Sequence, residues 1–272
     1  MKLCQGREGL RMIKAVFFDI DGTLVSFMTH RIPDSTKQAL TRMRERGVKV
    51  FIASGRPPVQ MHFLKDLVDF EFDGYVVMNG QYCYDAQGVY HKEHIPTDSL
   101  RMLLPYLEQT DISCSFVELD YVYINRITKP VTDLYEMLGG TAQMEPTGDP
   151  TRSLTHTTYQ LSVFLPKEEE EGFLSHLPGC KAARWNPYFT DIVPADGGKP
   201  VGLQKTPERW GIRQEESMAF GDGGNDIDML RYAGVGVAMG NASDDVKQAA
   251  DYVTADVDDD GVRRALEHYG VI

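Results

Sequence analysis

Asp19 and Asp21 are separated by one residue in the segment DIDGT, residues 19–23. The segment directly follows residues 14–18 (KAVFF), an apolar run that is typical of a buried strand. Ligands of parallel sheets bind at the carboxyl ends of the strands, which is where this turn would lie. Two carboxylates at this spacing can act as nucleophile and as general acid and base. A motif this short also fits an acidic turn that merely ends a strand.

A second acidic segment, GDGGND at residues 221–226, contributes Asp222 and Asp226. Both carboxylates lie on a glycine-rich turn between a predicted strand and a predicted helix. A hard divalent cation takes oxygen ligands of this kind. The alternative is an ordinary helix start, whose acidic first turn complements the helix dipole.

Ser54, Gly55 and Arg56 follow the predicted strand 48–53. A hydroxyl and exposed backbone amides at this place suit phosphoryl oxygens. Lys199 follows the turn 196–198 and, taken alone, indicates no more than a solvated charge. Together with the two acidic segments, however, these groups would meet at one edge of a sheet. Two carboxylates, a hydroxyl, a lysine and a carboxylate site for Mg²⁺ are the groups that phosphoryl transfer needs.

The elements that must position these residues alternate between strand and helix. This alternation predicts an α/β fold with a doubly wound parallel sheet, similar to a Rossmann fold. The predicted strands are 14–18, 48–53, 75–78, 217–221, 235–239 and 252–254, and the predicted helices include 35–46, 225–232, 243–250 and 261–269.

The middle of the chain has a different pattern, with alternating segments typical of antiparallel hairpins. We interpret residues 81–186 as an α+β insert in a core of residues 12–80 and 187–272, preceded by a loose extension, 1–11. The predicted strands of the insert include a hairpin at 81–94, a second hairpin at 113–125, and single strands at 159–165 and 181–186.

The composition excludes several classes of protein. The chain has 28 lysines and arginines against 40 aspartates and glutamates, which gives a formal net charge of −12. Such a charge disfavours nucleic acid and anionic membranes as partners. The chain has no apolar run of membrane-spanning length and no CxxC pair, so we expect a cytoplasmic protein. The phosphoryl-transfer groups predict a small phosphorylated metabolite as its partner. The oligomeric state is left open.

Four motifs, in the order DIDGT, Ser54 within ASGR, Lys199 and GDGGND, resemble motifs I to IV of the haloacid dehalogenase-like superfamily. The resemblance covers residues 12–272. The insert between motifs II and III, together with GDGGNDIDML, is similar to the Cof-type sugar-phosphate phosphatases. Pro207 departs from the pattern, because an interior proline disfavours the helix expected after Lys199.

The resemblance implies a role for each catalytic residue. Asp19 would attack phosphorus and form an aspartyl-phosphate. Asp21 would protonate the leaving oxygen and then activate water. Ser54 and Lys199 would hold the phosphoryl oxygens, with Lys199 also offsetting the charge of Asp19.

The resemblance also implies a Mg²⁺ site and a cap. Asp19, the backbone carbonyl of Asp21 and Asp222 would bind Mg²⁺, with Asp226 supporting them, and Asn225 would contact the phosphate. The insert would close over the substrate and set its specificity; its polar candidates for substrate contact are Tyr123, Arg126 and Arg184.

The main hypothesis is therefore a Mg²⁺-dependent phosphatase of small phosphomonoesters, with hexose and pentose phosphates favoured. A phosphatase of pyridoxal phosphate or flavin mononucleotide and a phosphosugar mutase remain as alternatives. A non-enzymatic alternative is a signalling receiver that carries a phosphorylated aspartate. The second carboxylate at Asp21 and the large insert argue against the receiver.

Overall fold

The computed structural model describes residues 12–138 and 143–272. The extension predicted for residues 1–11 therefore lies outside the described residues. Within them, the strands form one eight-stranded and one five-stranded sheet. No helix in these two ranges combines the length and apolarity needed to cross a bilayer.

The eight-stranded sheet has the order β13-β12-β11-β1-β2-β3-β4-β5, and the strands from β13 to β3 are parallel. It confirms the predicted α/β fold with a parallel core. Its strands are β1 (Ala15–Phe18), β2 (Lys49–Ala53), β3 (Gly74–Val77), β4 (Tyr82–Asp85), β5 (Gly88–Lys92), β11 (Ser217–Gly221), β12 (Val235–Ala238) and β13 (Tyr252–Val253).

The side chains of β1 show why this sheet is wound on both faces. Val16 and Phe18 belong to the apolar cluster on one face, and Ala15 and Phe17 to the cluster on the other. All four are fully buried, as expected for a central parallel strand covered on both sides. The covering helices are α1 (Asp34–Glu45), α2 (Phe63–Leu67) and α9 (Gly261–His268) on one side, and α6 (Lys199–Trp210), α7 (Ile227–Tyr232) and α8 (Asp244–Ala249) on the other.

The five-stranded sheet has the order β7-β6-β8-β10-β9 and is antiparallel throughout. It forms the centre of the inserted domain, which we define as residues 93–198. Its elements are β6 (Ser113–Val117), β7 (Val122–Ile124), β8 (Gln160–Phe164), β9 (Cys180–Ala183) and β10 (Thr190–Pro194), with helices α3 (Thr97–Gln109), α4 (Lys129–Leu138) and α5 (Glu170–Leu174).

The two sheets do not divide the chain at the predicted boundaries of 81 and 187. The hairpin β4–β5, expected to begin the insert, pairs through β4 with β3 and extends the core sheet. Conversely, β10 lies beyond the predicted boundary but pairs with β8 and β9 in the inserted domain. An alternating pattern predicts a hairpin, but it does not specify which sheet edge completes the hydrogen bonds of the hairpin.

Helix α6 runs without a break from Lys199 to Trp210 and includes position 207. The proline therefore does not displace Lys199, which is the first residue of the helix. Gly80 lies close to this helix start, with φ of +89°. A Cβ atom added at Gly80 would lie 2.3 Å from the backbone oxygen of Gly198.

Gly80→Ala should therefore destabilise the protein more than Gly47→Ala, a matched control whose φ is +75° and whose Cβ would meet nothing within 4 Å. Gly47→Ala should lower the unfolding free energy by about 1–2 kcal/mol, because alanine is strained in the left-handed backbone conformation. Gly80→Ala loses roughly 1–3 kcal/mol more, because a backbone carbonyl must move. Chemical denaturation of both variants tests the difference, and equal losses would contradict it.

Candidate active site

The predicted catalytic residues lie at the ends of neighbouring strands. Asp19 follows β1, Ser54 follows β2 and Asp222 follows β11, and β1 lies between the other two strands. Parallel strands end at the same edge, so these groups converge although they are distant in sequence. Lys199 reaches this edge as the first residue of α6, where the chain returns from the inserted domain.

Lys199 joins two of the carboxylates. Its Nζ donates to Asp19 Oδ1 and to Asp226 Oδ1, each at 2.6 Å. Burial would lower the pKa of this lysine, which is 1% exposed, but the two carboxylates raise it above its usual value. The ammonium is therefore a fixed positive charge. Burial raises the pKa of Asp19 to about 7 in spite of Lys199, with further contributions from the charges of Asp226 and Asp21.

Asp19, Asp222 and Asp226 form an acidic group that can hold a metal ion. Their carboxylates each place an oxygen within 4.8 Å of the others. Thr23 Oγ1 donates to Asp222 Oδ1 at 2.8 Å. Burial, followed by the charges of Asp19 and Asp226, raises the pKa of Asp222 well above its usual value. The three side chains offer carboxylate oxygens close together, and this donor set fits a hard divalent cation, which favours their charged forms.

Asp226 also shapes the turn on which Asp222 lies. Its Oδ2 accepts hydrogen bonds from the backbone N–H groups of Asp222 at 3.1 Å and Gly223 at 3.0 Å. The side chain is fully buried, so Lys199 and these amides supply the partners that a buried carboxylate needs. Asp226 is thus placed to orient Asp222 as well as to take part in the acidic group.

Arg56 has a partner that the sequence did not predict. Its Nε and Nη2 each donate at 2.7 Å to a different oxygen of Asp21. The guanidinium also lies over the ring of Phe63, 4.7 Å from its centroid. The side chain of Asp21 is therefore turned to Arg56 and lies outside the acidic group. Only its backbone carbonyl is left for the predicted metal contact, and phosphate binding by Arg56 stays a prediction.

The remaining predicted phosphate ligands lie on the same wall. Ser54, Gly55 and Asn225 all line one cavity with Asp19. Ser54 Oγ accepts from the backbone N–H of Arg56 at 3.2 Å. Asn225 Nδ2 donates to Asn79 Oδ1 at 2.9 Å.

Asn79 is a site residue that sequence reasoning missed. Its Nδ2 donates to Asp191 Oδ2 at 2.8 Å and to Gln160 Oε1 at 3.0 Å, and both partners belong to the inserted domain. Gln160 Nε2 in turn donates to the backbone oxygen of Gly55 at 3.2 Å. Asn79 thus connects Asn225, a predicted phosphate ligand, to the inserted domain. Its position just after β3, at the same sheet edge, was a signal that could have identified it.

The cavity between the two domains has a volume of about 100 Å³. Its far wall comes from the inserted domain and is largely apolar, with several polar groups. Those apolar residues are Val117, Val122, Leu134, Leu138, Phe164, Trp185 and Phe189, and the polar ones are Ser115, Tyr135, Glu145, Gln160, Ser162 and Asp191.

The three polar residues predicted to contact substrate do not line this cavity. Arg126 pairs with Asp111, and Arg184 pairs with Glu170. Tyr123 is fully buried in the core of the inserted domain. These candidates do not contact the cavity, because the two arginines lie beyond the strand ends and pair with carboxylates of the inserted domain, while Tyr123 lies on the strand face that packs into its core.

Comparisons with known proteins cover both domains. A family model described as haloacid dehalogenase-like hydrolase matches residues 16–266. The putative phosphatase YkrA of Bacillus subtilis is 32% identical over 262 residues, covering 95% of this chain and 98% of that protein. The 5-amino-6-(5-phospho-D-ribitylamino)uracil phosphatase YitU of Bacillus subtilis is 31% identical, and the match covers 93% of this chain and 96% of that protein. The solved structure of a sugar phosphatase of haloacid dehalogenase subclass IIB is 41% identical with a TM-score of 0.88. The match covers 95% of this chain and 100% of that structure.

The buried Asp191 should make stability depend on pH. Burial raises its pKa from 3.8 to about 6, although hydrogen bonds from Ser162 and Asn79 lower it. A raised carboxyl pKa stabilises the fold below the unfolded pKa, and this contribution is lost as pH rises through the folded pKa. Relative to Asp191→Asn, the wild-type unfolding free energy should fall by roughly 3 kcal/mol between about pH 4 and pH 6.

Urea unfolding of both proteins across this range measures the difference. Asp228→Asn, at an exposed position on α7, is the matched control. A difference between wild type and Asp191→Asn that does not change with pH would contradict the assignment.

Proposed function

The chain belongs to the haloacid dehalogenase-like hydrolases, and we propose that it is a Mg²⁺-dependent phosphatase that hydrolyses hexose and pentose phosphates through an aspartyl-phosphate. The family and the relatives named as phosphatases identify a phosphoric monoester hydrolase. The metal, the intermediate and the sugar are the proposed parts. The observation that supports the proposal best is the buried Lys199, which holds Asp19 at the wall of a cavity lined by both domains.

In the first step, an oxygen of Asp19 attacks phosphorus and the bond from phosphorus to the leaving oxygen breaks. The leaving oxygen takes a proton from Asp21. In the structure Arg56 holds both oxygens of Asp21, so the step requires that Asp21 first separates from the guanidinium and takes up the proton that it then gives to the leaving oxygen. Ser54 and Asn225 line the same wall and would bind phosphoryl oxygens.

In the second step, water attacks the phosphorus of the aspartyl-phosphate. Asp21 accepts the water proton, and Asp19 leaves as a carboxylate while inorganic phosphate is released. Lys199 offsets the negative charge that returns to Asp19, and because it is buried and doubly hydrogen-bonded it needs no reorganisation to do so. The inserted domain keeps bulk water away from the reacting group.

Mg²⁺ would be held by Asp19, Asp222 and the backbone carbonyl of Asp21, with Asp226 in support. The ion would supply positive charge next to the phosphoryl oxygens. Carboxylate oxygens are the ligands that Mg²⁺ takes in proteins, and the acidic group provides them within 4.8 Å of one another.

The cavity supports a neutral leaving group. Four carboxylates line it, from Asp19, Asp21, Glu145 and Asp191, and Arg56 is bound to one of them. A second phosphate or a carboxylate on the substrate would therefore meet negative charge. Polar groups among aromatic and aliphatic side chains suit the hydroxyl and C–H surfaces of a sugar. The solved relative at 41% identity is a sugar phosphatase, which points in the same direction.

The relative YitU is named as a 5-amino-6-(5-phospho-D-ribitylamino)uracil phosphatase, so a substrate with a larger leaving group than a sugar is an alternative. Pyridoxal phosphate, flavin mononucleotide and phosphosugar mutation also remain as alternatives. Phosphate release from a panel of phosphorylated metabolites distinguishes these substrates. Return of phosphate to sugar would instead indicate a mutase, and a long-lived phosphoprotein would indicate a receiver. Cytoplasmic location and the exclusion of nucleic acid stay predictions.

Asp19→Asn should abolish turnover, because an amide is not a nucleophile towards phosphorus. Losing a nucleophile costs up to about 10⁶ in rate. The measurement is steady-state phosphate release with Mg²⁺, with Asp228→Asn as the control that changes an exposed aspartate on α7. A variant that keeps a tenth of wild-type activity would rule out Asp19 as nucleophile.

Activity should require Mg²⁺ and weaken with Ca²⁺. Mg²⁺ binds with octahedral geometry at about 2.0–2.1 Å, whereas Ca²⁺ takes more ligands at greater distances. Asp222→Asn should need a higher Mg²⁺ concentration for half-maximal activity. Titrations are made after chelation, at constant ionic strength set with NaCl. Full activity of the exhaustively chelated protein would contradict the metal requirement.

A further inference from the structure

We propose that Glu145 is the specificity-determining residue of this site, and that its carboxylate accepts hydrogen bonds from hydroxyl groups of a polyhydroxylated, uncharged leaving group. This inference rests on the proposed function and names the residue through which the inserted domain would recognise a sugar.

Glu145 is held from two sides at the cavity wall. The hydroxyl of Ser115, at the centre of β6, donates to its Oε2. The hydroxyl of Tyr135, on α4, is hydrogen-bonded to the same carboxylate. Ser115 and Tyr135 line the cavity as well. Both partners are donors, so the side chain is fixed as an acceptor.

Two donors do not saturate this carboxylate. An ionised carboxyl group has about four lone-pair positions, of which Ser115 and Tyr135 occupy two. Glu145 is half-buried as a residue, but its carboxyl group is largely shielded from bulk solvent and lines the cavity. Its remaining acceptor positions are therefore those that a ligand in the cavity can reach.

The other polar groups on this wall are already committed. Asp191 accepts from Ser162 and from Asn79, and is 2% exposed. Gln160 uses its oxygen on Asn79 and its nitrogen on Gly55. These groups attach the inserted domain to the core. Among the polar side chains of this wall that the structure describes, Glu145 is the partly exposed one that carries a charge.

Among the described residues, the ion pairs give Glu145 no cationic partner. Burial raises its pKa above the usual range although its two hydrogen bonds lower it. A carboxylate held in this way costs folding free energy, which suggests that it serves function. Its natural ligand is a donor. A sugar hydroxyl fits, whereas an anionic group would be repelled.

The test compares wild type with Glu145→Gln on two kinds of substrate. The first is whichever hexose or pentose monophosphate of a panel the wild type hydrolyses best, together with its singly deoxygenated analogues. The second is para-nitrophenyl phosphate, whose leaving group has no hydroxyl to donate in this pocket. Glu136→Gln, at an exposed position on α4, is the matched control.

We expect Glu145→Gln to lower kcat/KM for the sugar phosphate by about 10- to 100-fold, the range for losing hydrogen bonds to a charged group. Activity on para-nitrophenyl phosphate should stay within about twofold, a change too small to count as a lost hydrogen bond. One deoxy analogue should be poor with wild type and should lose little more in the variant. Glu136→Gln should behave like wild type.

Ser115→Ala separates recognition from support, since it removes a donor and leaves the carboxylate in place. It should keep the preference for sugar phosphate over para-nitrophenyl phosphate. An equal loss on both substrates in Glu145→Gln, or an unchanged sugar preference, would overturn the inference while leaving phosphatase function intact. A wild-type chain that releases phosphate from neither substrate would instead overturn the proposed function.

Discussion

The contact of Lys199 with Asp19 and Asp226 is the interaction on which the rest of the site depends. Carboxylates that converge in a buried place repel one another and lose hydration, so they need a fixed cation. Lys199 is fully enclosed and lies 2.6 Å from an oxygen of each partner. Asp19 and Lys199 are 180 positions apart in the chain. The contact therefore forms only after β1, the acidic turn behind β11 and the start of α6 have assembled.

Two connections attach the inserted domain to the core, and the first of them involves Lys199. The chain returns from that domain directly into Lys199, so the domain and the lysine share one support. A second connection runs from Asn225 through Asn79 to Asp191. All three side chains are hydrogen-bonded in this series, and such a series in a region of low dielectric is rigid when it is fully satisfied. These polar contacts thus position the core side of the cavity, at Asn225, relative to the inserted domain, at Asp191.

The cavity divides into two chemically different halves. At the strand ends, Asp19, Asp21 and their cationic partners form a charged half that suits the reacting phosphoryl group. The inserted domain supplies an apolar half in which Glu145 is a partly exposed charge. A substrate that satisfies both halves has one dianionic end and one neutral, hydroxylated end. This division is consistent with the proposed sugar phosphates as substrates, whereas a receiver would need no second half.

The sequence by itself determined the core elements and the residues of the catalytic edge. The predicted strand 217–221 coincides with β11, and the predicted helix 261–269 differs from α9 by one residue. Hydrophobic period and glycine turns are local properties, so they survive without tertiary information. The convergence of Asp19, Ser54 and Asp222 followed from a topological rule about parallel strands.

Only the tertiary structure decided which partners those residues take. The β4–β5 hairpin joined the core sheet because β3 offered an open edge, which no alternating pattern reveals. Arg56 bound Asp21, and Glu145 reached the cavity wall, through contacts between segments distant in the chain. Side-chain orientation and sheet register depend on the packing of the whole molecule. Local sequence therefore predicted the residues at the strand ends. The cavity wall formed by the inserted domain could be identified only from the structure of both domains together.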